Sequence, residues 1–126
     1  MSRTFVMVGA LLAFVGVALG AFGAHGLAST FAANPTREPI FQTATQYLLY
    51  HALGLLAVAW AAQRWPGSLT RWSGILLAFG AVVFAGSLIV LSLTDLRWMG
   101  AIAPIGGLAM LAGWACLALA AWRARV

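Results

Sequence analysis

Hydrophobic positions run along the chain in four blocks of about twenty residues each, separated by short polar breaks. The blocks cover about residues 4–24, 43–63, 71–94 and 98–122. A helix needs about 20 apolar residues to cross the roughly 30 Å hydrocarbon core of a bilayer. The pattern therefore predicts one all-α membrane domain over residues 1–126, crossing four times. The first block is longer than the 7–15 residues of a signal peptide's apolar region and leads into further spans, so it is expected to be retained.

The breaks carry the punctuation. Residues 25–42 form the longest one, with Asn34-Pro35, Arg37, Glu38 and Pro39. A short interfacial helix is expected there around Leu27 to Ala33, ended by Asn34-Pro35. Arg64-Trp65-Pro66-Gly67 reads as a turn, and Asp95-Leu96-Arg97 as a tight break in which Asp95 and Arg97 can pair with each other. With four crossings, the two termini and the 64–71 turn share one side and carry Arg3, Arg64, Arg71, Arg123 and Arg125. The other side carries Arg37 and Arg97. This bias places both termini in the cytoplasm and the 25–42 loop outside. Trp60, Trp65, Trp72 and Trp122 then lie near the inner interface and Trp98 near the outer one.

Small residues trace the expected helix contacts. Gly9, Ala13, Gly16, Gly20 and Gly23 follow one another at steps of four, three, four and three. Gly74, Ala78, Ala81 and Ala85 line the third block; Gly106, Ala109, Gly113, Cys116 and Ala120 line the fourth. Steps averaging 3.5 residues are the period of a left-handed helix bundle. Small residues on such a seam let backbones approach closely, which matters because lipid supplies no hydrophobic drive between helices. Gly16, Gly20, Gly23, Gly106, Gly107 and Gly113 are the expected packing positions. The second block differs: its seam runs Tyr47, His51, Gly54, Val58 and Ala61. Gly9–Val17 also resembles Gly74–Val82, as a duplicated hairpin would produce, although Ala/Leu/Gly-rich sequence matches itself easily.

Composition closes off other classes. Hydrophobic residues make up 63% and charged residues 7%, against about 25% charged in a soluble domain. The pI near 11.3 comes from seven scattered Arg, a pattern that sets orientation and meets anionic lipid rather than nucleic acid. Cys116 stands alone, so the chain has no internal disulfide and no cysteine-based metal site.

Candidate chemistry concentrates at the outer start of the second block. His51 lies about eight residues, or roughly 12 Å, below its outer end, a depth where ionisable groups are rare and face the interior. It is either a functional site (proton-linked, ligand-binding or metal-ligating) or a neutral imidazole bonded to Tyr47, Tyr50 or a neighbouring helix. His25, Gln42, Gln46, Tyr47, Tyr50 and His51 together define a candidate outward-facing polar pocket, with a hydrogen-bonded network holding the loop as the alternative. Pro104, followed by Gly106-Gly107, predicts a kink or hinge. No metal, cofactor or catalytic set is expected, since the chain has neither a nucleophile triad nor carboxylates within the membrane.

Three stretches carry a family resemblance. Gly20-Ala-Phe-Gly-Ala-His25-Gly-Leu27, Tyr47-Leu-Leu-Tyr-His51-Ala-Leu-Gly-Leu-Leu56 (with Gln42-Thr-Ala), and Arg97-Trp-Met-Gly-Ala-Ile-Ala-Pro104-Ile-Gly-Gly-Leu-Ala-Met-Leu-Ala-Gly113-Trp are similar to the bacterial inner-membrane proteins catalogued as domain of unknown function 423. That group is related to a small eukaryotic transmembrane protein, number 256. The resemblance covers essentially the whole chain and rests on Gly20, Gly23, His25, Gly26, Tyr47, His51, Pro104, Gly106 and Gly107. Leu48 departs from it, standing where a polar residue is common. The resemblance implies a four-span protein of the bacterial inner (plasma) membrane and brings no established activity.

The sequence thus leads to a non-enzymatic accessory protein that packs against the lipid bilayer and against a second copy or a partner membrane protein. The alternative is a binder or carrier of a small molecule or proton through the polar cluster around His25 and His51. Small multidrug exporters also have four short spans, but they rely on an intramembrane carboxylate that this chain lacks.

Overall fold

The computed structural model describes residues 1–125 and is helical throughout, with α1 Ser2–His25, α2 Ala28–Ala33, α3 Glu38–Arg64, α4 Ser68–Thr94 and α5 Met99–Arg123. The expected domain, 1–126, thus ends one residue outside the described stretch. Helix α2 is the short element expected in the 25–42 segment. It ends at Asn34, whose side-chain amide donates to the Thr30 carbonyl at 3.1 Å, and Pro35 holds Asn34 out of the helical region at φ −133°, ψ 72°.

Helix α3 begins at Glu38, five residues before the expected span, which shortens the link to α1. Pro39 sits in its first turn, where a missing N–H costs no helical bond, and the Glu38 carboxylate meets the positive end of the helix dipole. The turn after α3 is tied by Thr70, whose hydroxyl donates to the Trp65 carbonyl at 2.7 Å. Helix α4 stops at Asp95, the one non-glycine residue with positive φ (60°) among those described. Its carboxylate pairs with Arg37 at 3.6 Å, rather than with Arg97 as the local sequence suggested. The pair joins the start of α3 to the end of α4. Helix α5 runs without interruption across Pro104.

The packing order is α1–α3–α4–α5, and α1 and α5 share no substantial contact. The long helices therefore form an open row, not a closed ring. Helix α3 lies inside it, with twelve of its 27 residues buried, against four in α1 and five in α5 at the edges. Helices α1, α4 and α5 are each long and apolar enough to cross a membrane. Helix α3 is as long as α4 but more polar.

Glycines set the helix spacing. Along α1, Gly9, Gly16 and Gly23 are buried at seven-residue steps against α3. A Cβ at Gly9 would lie 2.9 Å from the Ala52 carbonyl oxygen, one at Gly16 would lie 2.9 Å from Leu49, and one at Gly23 would run into the Phe41 ring. Gly20 corrects the expected seam: it is exposed and nothing lies within 4 Å of the space a Cβ would take. A four-residue step from Gly16 turns it about 40° round the helix and off the contact.

Helix α4 packs on both sides. Ala81 and Ala85 join Ala44 and Leu48 of α3 in one core cluster, while Gly80 meets α5. A Cβ at Gly106 would lie 2.5 Å from the Phe84 nitrogen and 2.8 Å from the Gly80 carbonyl oxygen, so backbone touches backbone there. Gly113 packs against Leu77 at 2.9 Å, whereas Gly107 only approaches Phe84, at 4.0 Å. In the repeated stretches, Gly9 and Gly16 are buried in α1 as Gly74 and Ala81 are in α4, and Phe14 and Phe79 are both exposed. A duplicated hairpin would turn the Ala81 face toward α5; here Ala81 packs in one cluster with Ala44 and Leu48 of α3 and Met110 of α5.

Candidate functional site

His51 lies about 20 Å along α3 from Glu38, close to the middle of a helix about 40 Å long. It is 6% exposed, and both of its ring nitrogens are engaged. Nδ1 lies 2.6 Å from the Tyr47 carbonyl oxygen, which can only accept. The Trp114 indole N–H, which can only donate, reaches Nε2 at 3.1 Å. These partners assign the neutral tautomer with the proton on Nδ1. A metal or an incoming proton would need the Nε2 lone pair that Trp114 already uses. His51 is thus a cross-link between α3 and α5, and Gly54 makes it possible: a Cβ there would lie 2.8 Å from the Trp114 ring.

Aromatic rings gather round this bond. Tyr47 stacks on His51 with ring centroids 6.1 Å apart and lies 4.9 Å from Phe84; Trp114 tilts against His51 at 5.8 Å. Above α4, between α3 and α5, these rings line a groove of about 510 Å³. Its walls are Tyr47, Tyr50 and His51 of α3, Phe84 of α4, and Gly107, Met110, Leu111 and Trp114 of α5. The lining is apolar apart from the two phenol hydroxyls and the His51–Trp114 bond, and no carboxylate or nucleophile faces it.

The six residues expected in one polar pocket divide between faces. Tyr47, Tyr50 and His51 line the groove. Gln42 lies about 180° round α3 from His51 and lines a separate cavity of about 100 Å³ with Gly20, Gly23, Phe31, Glu38 and Thr45. Its amide donates to a Glu38 carboxylate oxygen at 3.4 Å. Gln46 and His25 are exposed, His25 at the end of α1, and neither lines the groove.

Residues 19–107 match the profile of a protein family described as "Protein of unknown function (DUF423)". The chain belongs to this family. A UPF0382 membrane protein of Staphylococcus saprophyticus is 41% identical over 121 residues, spanning 96% of this chain and 98% of its own length. The UPF0382 membrane protein YwdK of Bacillus subtilis is 41% identical over 121 residues, 94% of this chain and 96% of its own. The UPF0382 inner membrane protein YgdD of Escherichia coli is 41% identical over 122 residues, 97% of this chain and 92% of its own. No solved structure gives a significant match. With three helices able to span a bilayer and relatives of this kind, the chain is a bacterial inner-membrane protein.

Within this DUF423 protein, the matched stretch holds the groove residues from Tyr47 to Gly107; Met110, Leu111 and Trp114 lie beyond it. Phe84, Met110, Leu111 and Trp114 are the groove residues that sequence reasoning passed over. One signal for Trp114 was available: it alone among the six tryptophans sits well inside a span.

Proposed function

We propose that this protein is a non-enzymatic accessory protein of the bacterial inner membrane, crossing four times as a left-handed helix assembly with both termini in the cytoplasm. It acts by packing against lipid and against a transmembrane helix of a second copy or another membrane protein. The observation that carries this reading is the state of His51. The imidazole at mid-depth has both nitrogens bonded inside the fold, which leaves the groove a mainly apolar surface whose polar atoms are the two phenol hydroxyls and the His51–Trp114 bond. The open row of helices fits the same reading, because α3 and α5 leave a lateral cleft that a partner helix can complete.

A second reading, binding or carriage of a small apolar molecule, draws on the groove itself. Its volume of about 510 Å³ lies within the range of ligand pockets, and the Tyr47 and Tyr50 hydroxyls have no side-chain partner among the described residues. His25 is too far outside the groove to take part in it.

Gly107→Leu tests both. The space at Gly107 is open, with only Phe84 at 4.0 Å, so the new side chain fills the groove without spreading the helices. In mild detergent the variant should keep the folded yield of the parent and lose its associated species, which native mass spectrometry identifies as polypeptide or small molecule. Gly20→Leu, on α1 and away from the groove, should lose neither. A parent that is strictly monomeric and carries no co-purifying molecule would count against both readings.

A further inference from the structure

A second cavity, of about 330 Å³, lies at the end of the molecule that holds the turn between α3 and α4 and the last turn of α5. Arg64, Arg123 and Arg125 line it, together with Trp65, Gly67 and Thr70. Among the described residues the one ion pair is Arg37–Asp95, at the opposite end. Both acidic side chains, Glu38 and Asp95, belong to that opposite end. No acidic side chain in the sequence therefore offsets Arg3, Arg64, Arg71, Arg123 and Arg125 here. Gathering like charges is unfavourable unless a counter-charge sits among them.

The surroundings fix the depth of the site. Trp60 and Trp65 pack edge to face at 5.2 Å, the Arg64 guanidinium lies 5.9 Å from the Trp60 ring centre, and Trp122 is 86% exposed. Indole rings concentrate at the headgroup level of a bilayer, so charge and depth coincide. A guanidinium offers a planar fork of donors that matches phosphate oxygens in pairs. The first turn of α4 has no side-chain cap and adds backbone donors, but the charge comes from the arginines.

We propose that this cavity binds the phosphate headgroup of an anionic glycerophospholipid, with Arg64, Arg123 and Arg125 as its ligands. The site is separate from the groove between α3 and α5 and stands whether or not that groove has an occupant. It fixes the molecule to one leaflet by a specific lipid contact, beyond the general bias of basic residues toward that side.

The test uses the full chain in neutral detergent micelles doped equally with phosphatidylglycerol and phosphatidylcholine, read by native mass spectrometry. The parent should retain phosphatidylglycerol in preference. Arg64→Gln with Arg123→Gln should lower that preference by roughly fivefold per arginine, with unchanged helix content by circular dichroism. Arg97→Gln, at the opposite end, should leave it unchanged. Should the double variant fail to fold, Arg125→Gln, beyond the end of α5, carries the test with a drop of roughly fivefold. An unchanged preference, or an equal drop in Arg97→Gln, overturns the site in favour of diffuse attraction. Displacement of the lipid by inorganic phosphate at matched concentration overturns it in favour of a free anion.

Discussion

Replacing Trp114 with Phe removes one N–H and keeps most of an aromatic side chain, so it isolates the bond to His51. Measured hydrogen bonds between transmembrane helices average about 0.6 kcal/mol and reach about 1.7, less than the cost of an unpaired group in a soluble core. The double-mutant cycle of Trp114→Phe with His51→Leu should therefore give a coupling energy between about 0.6 and 1.7 kcal/mol in reversible unfolding. Nitrogen NMR of the parent should show the His51 proton on Nδ1. Zero coupling, or a proton on Nε2, would sink the cross-link. His51 was visible in the sequence because an imidazole at mid-span is rare. Its partner was not, since 63 residues separate the two and each half of the pair is uninformative alone. The same holds for Asp95, whose counter-ion proved to be Arg37, brought close by the fold, and not its sequence neighbour Arg97.

At the scale of the helix, one residue type has opposite effects at two positions. Gly106→Ala places a methyl group against the backbone of Phe84 and Gly80, atoms that cannot rotate away. Overpacking of this kind costs about 1–3 kcal/mol, and here it must separate α4 from α5. Gly20→Ala meets nothing within 4 Å and gains about 0.5–1 kcal/mol of helix propensity. Thermal unfolding in detergent should lower the first and hold or raise the second; equal shifts would show that these glycines do not set the helix spacing. The 3.5-residue period identified α1 and α5 as close-packed helices and located Gly16, Gly23, Gly106 and Gly113. It did not separate Gly20 from its neighbours, because alternating steps of three and four leave about 60° of freedom around the axis. It also passed over Gly80, because a single seam per helix was assumed and α4 has two. Which helices are inner and which are edges depends on pairing across the chain, a property that periodicity within one helix does not carry.

For the molecule as a whole, the decisive element is α3. Its polar residues set it apart from the three helices whose composition alone marks them as able to span a bilayer. Burial supplies what composition lacks. No charged side chain lies between Glu38 and Arg64, His51 is bonded twice, and Thr45 donates back to the Gln42 carbonyl at 3.0 Å. Thr45 and His51 are buried among the neighbouring helices, while Gln42, Gln46, Tyr47 and Tyr50 stay exposed toward the start of α3. A helix in that position needs satisfied polar groups more than it needs apolar side chains. We propose on this ground that α3 crosses, which would put the segment before it and the turn after it on opposite sides of the membrane. In a Cys116→Ala background, Ser29→Cys and Ser68→Cys place single thiols at exposed positions on either side of α3. A membrane-impermeant maleimide should label the first in cells with an opened outer membrane. It should label the second only after the inner membrane is breached, because five of the seven arginines share that side with the turn. Labelling of both thiols from the same side would mean that α3 lies along the membrane, and the count of four crossings would fall to three.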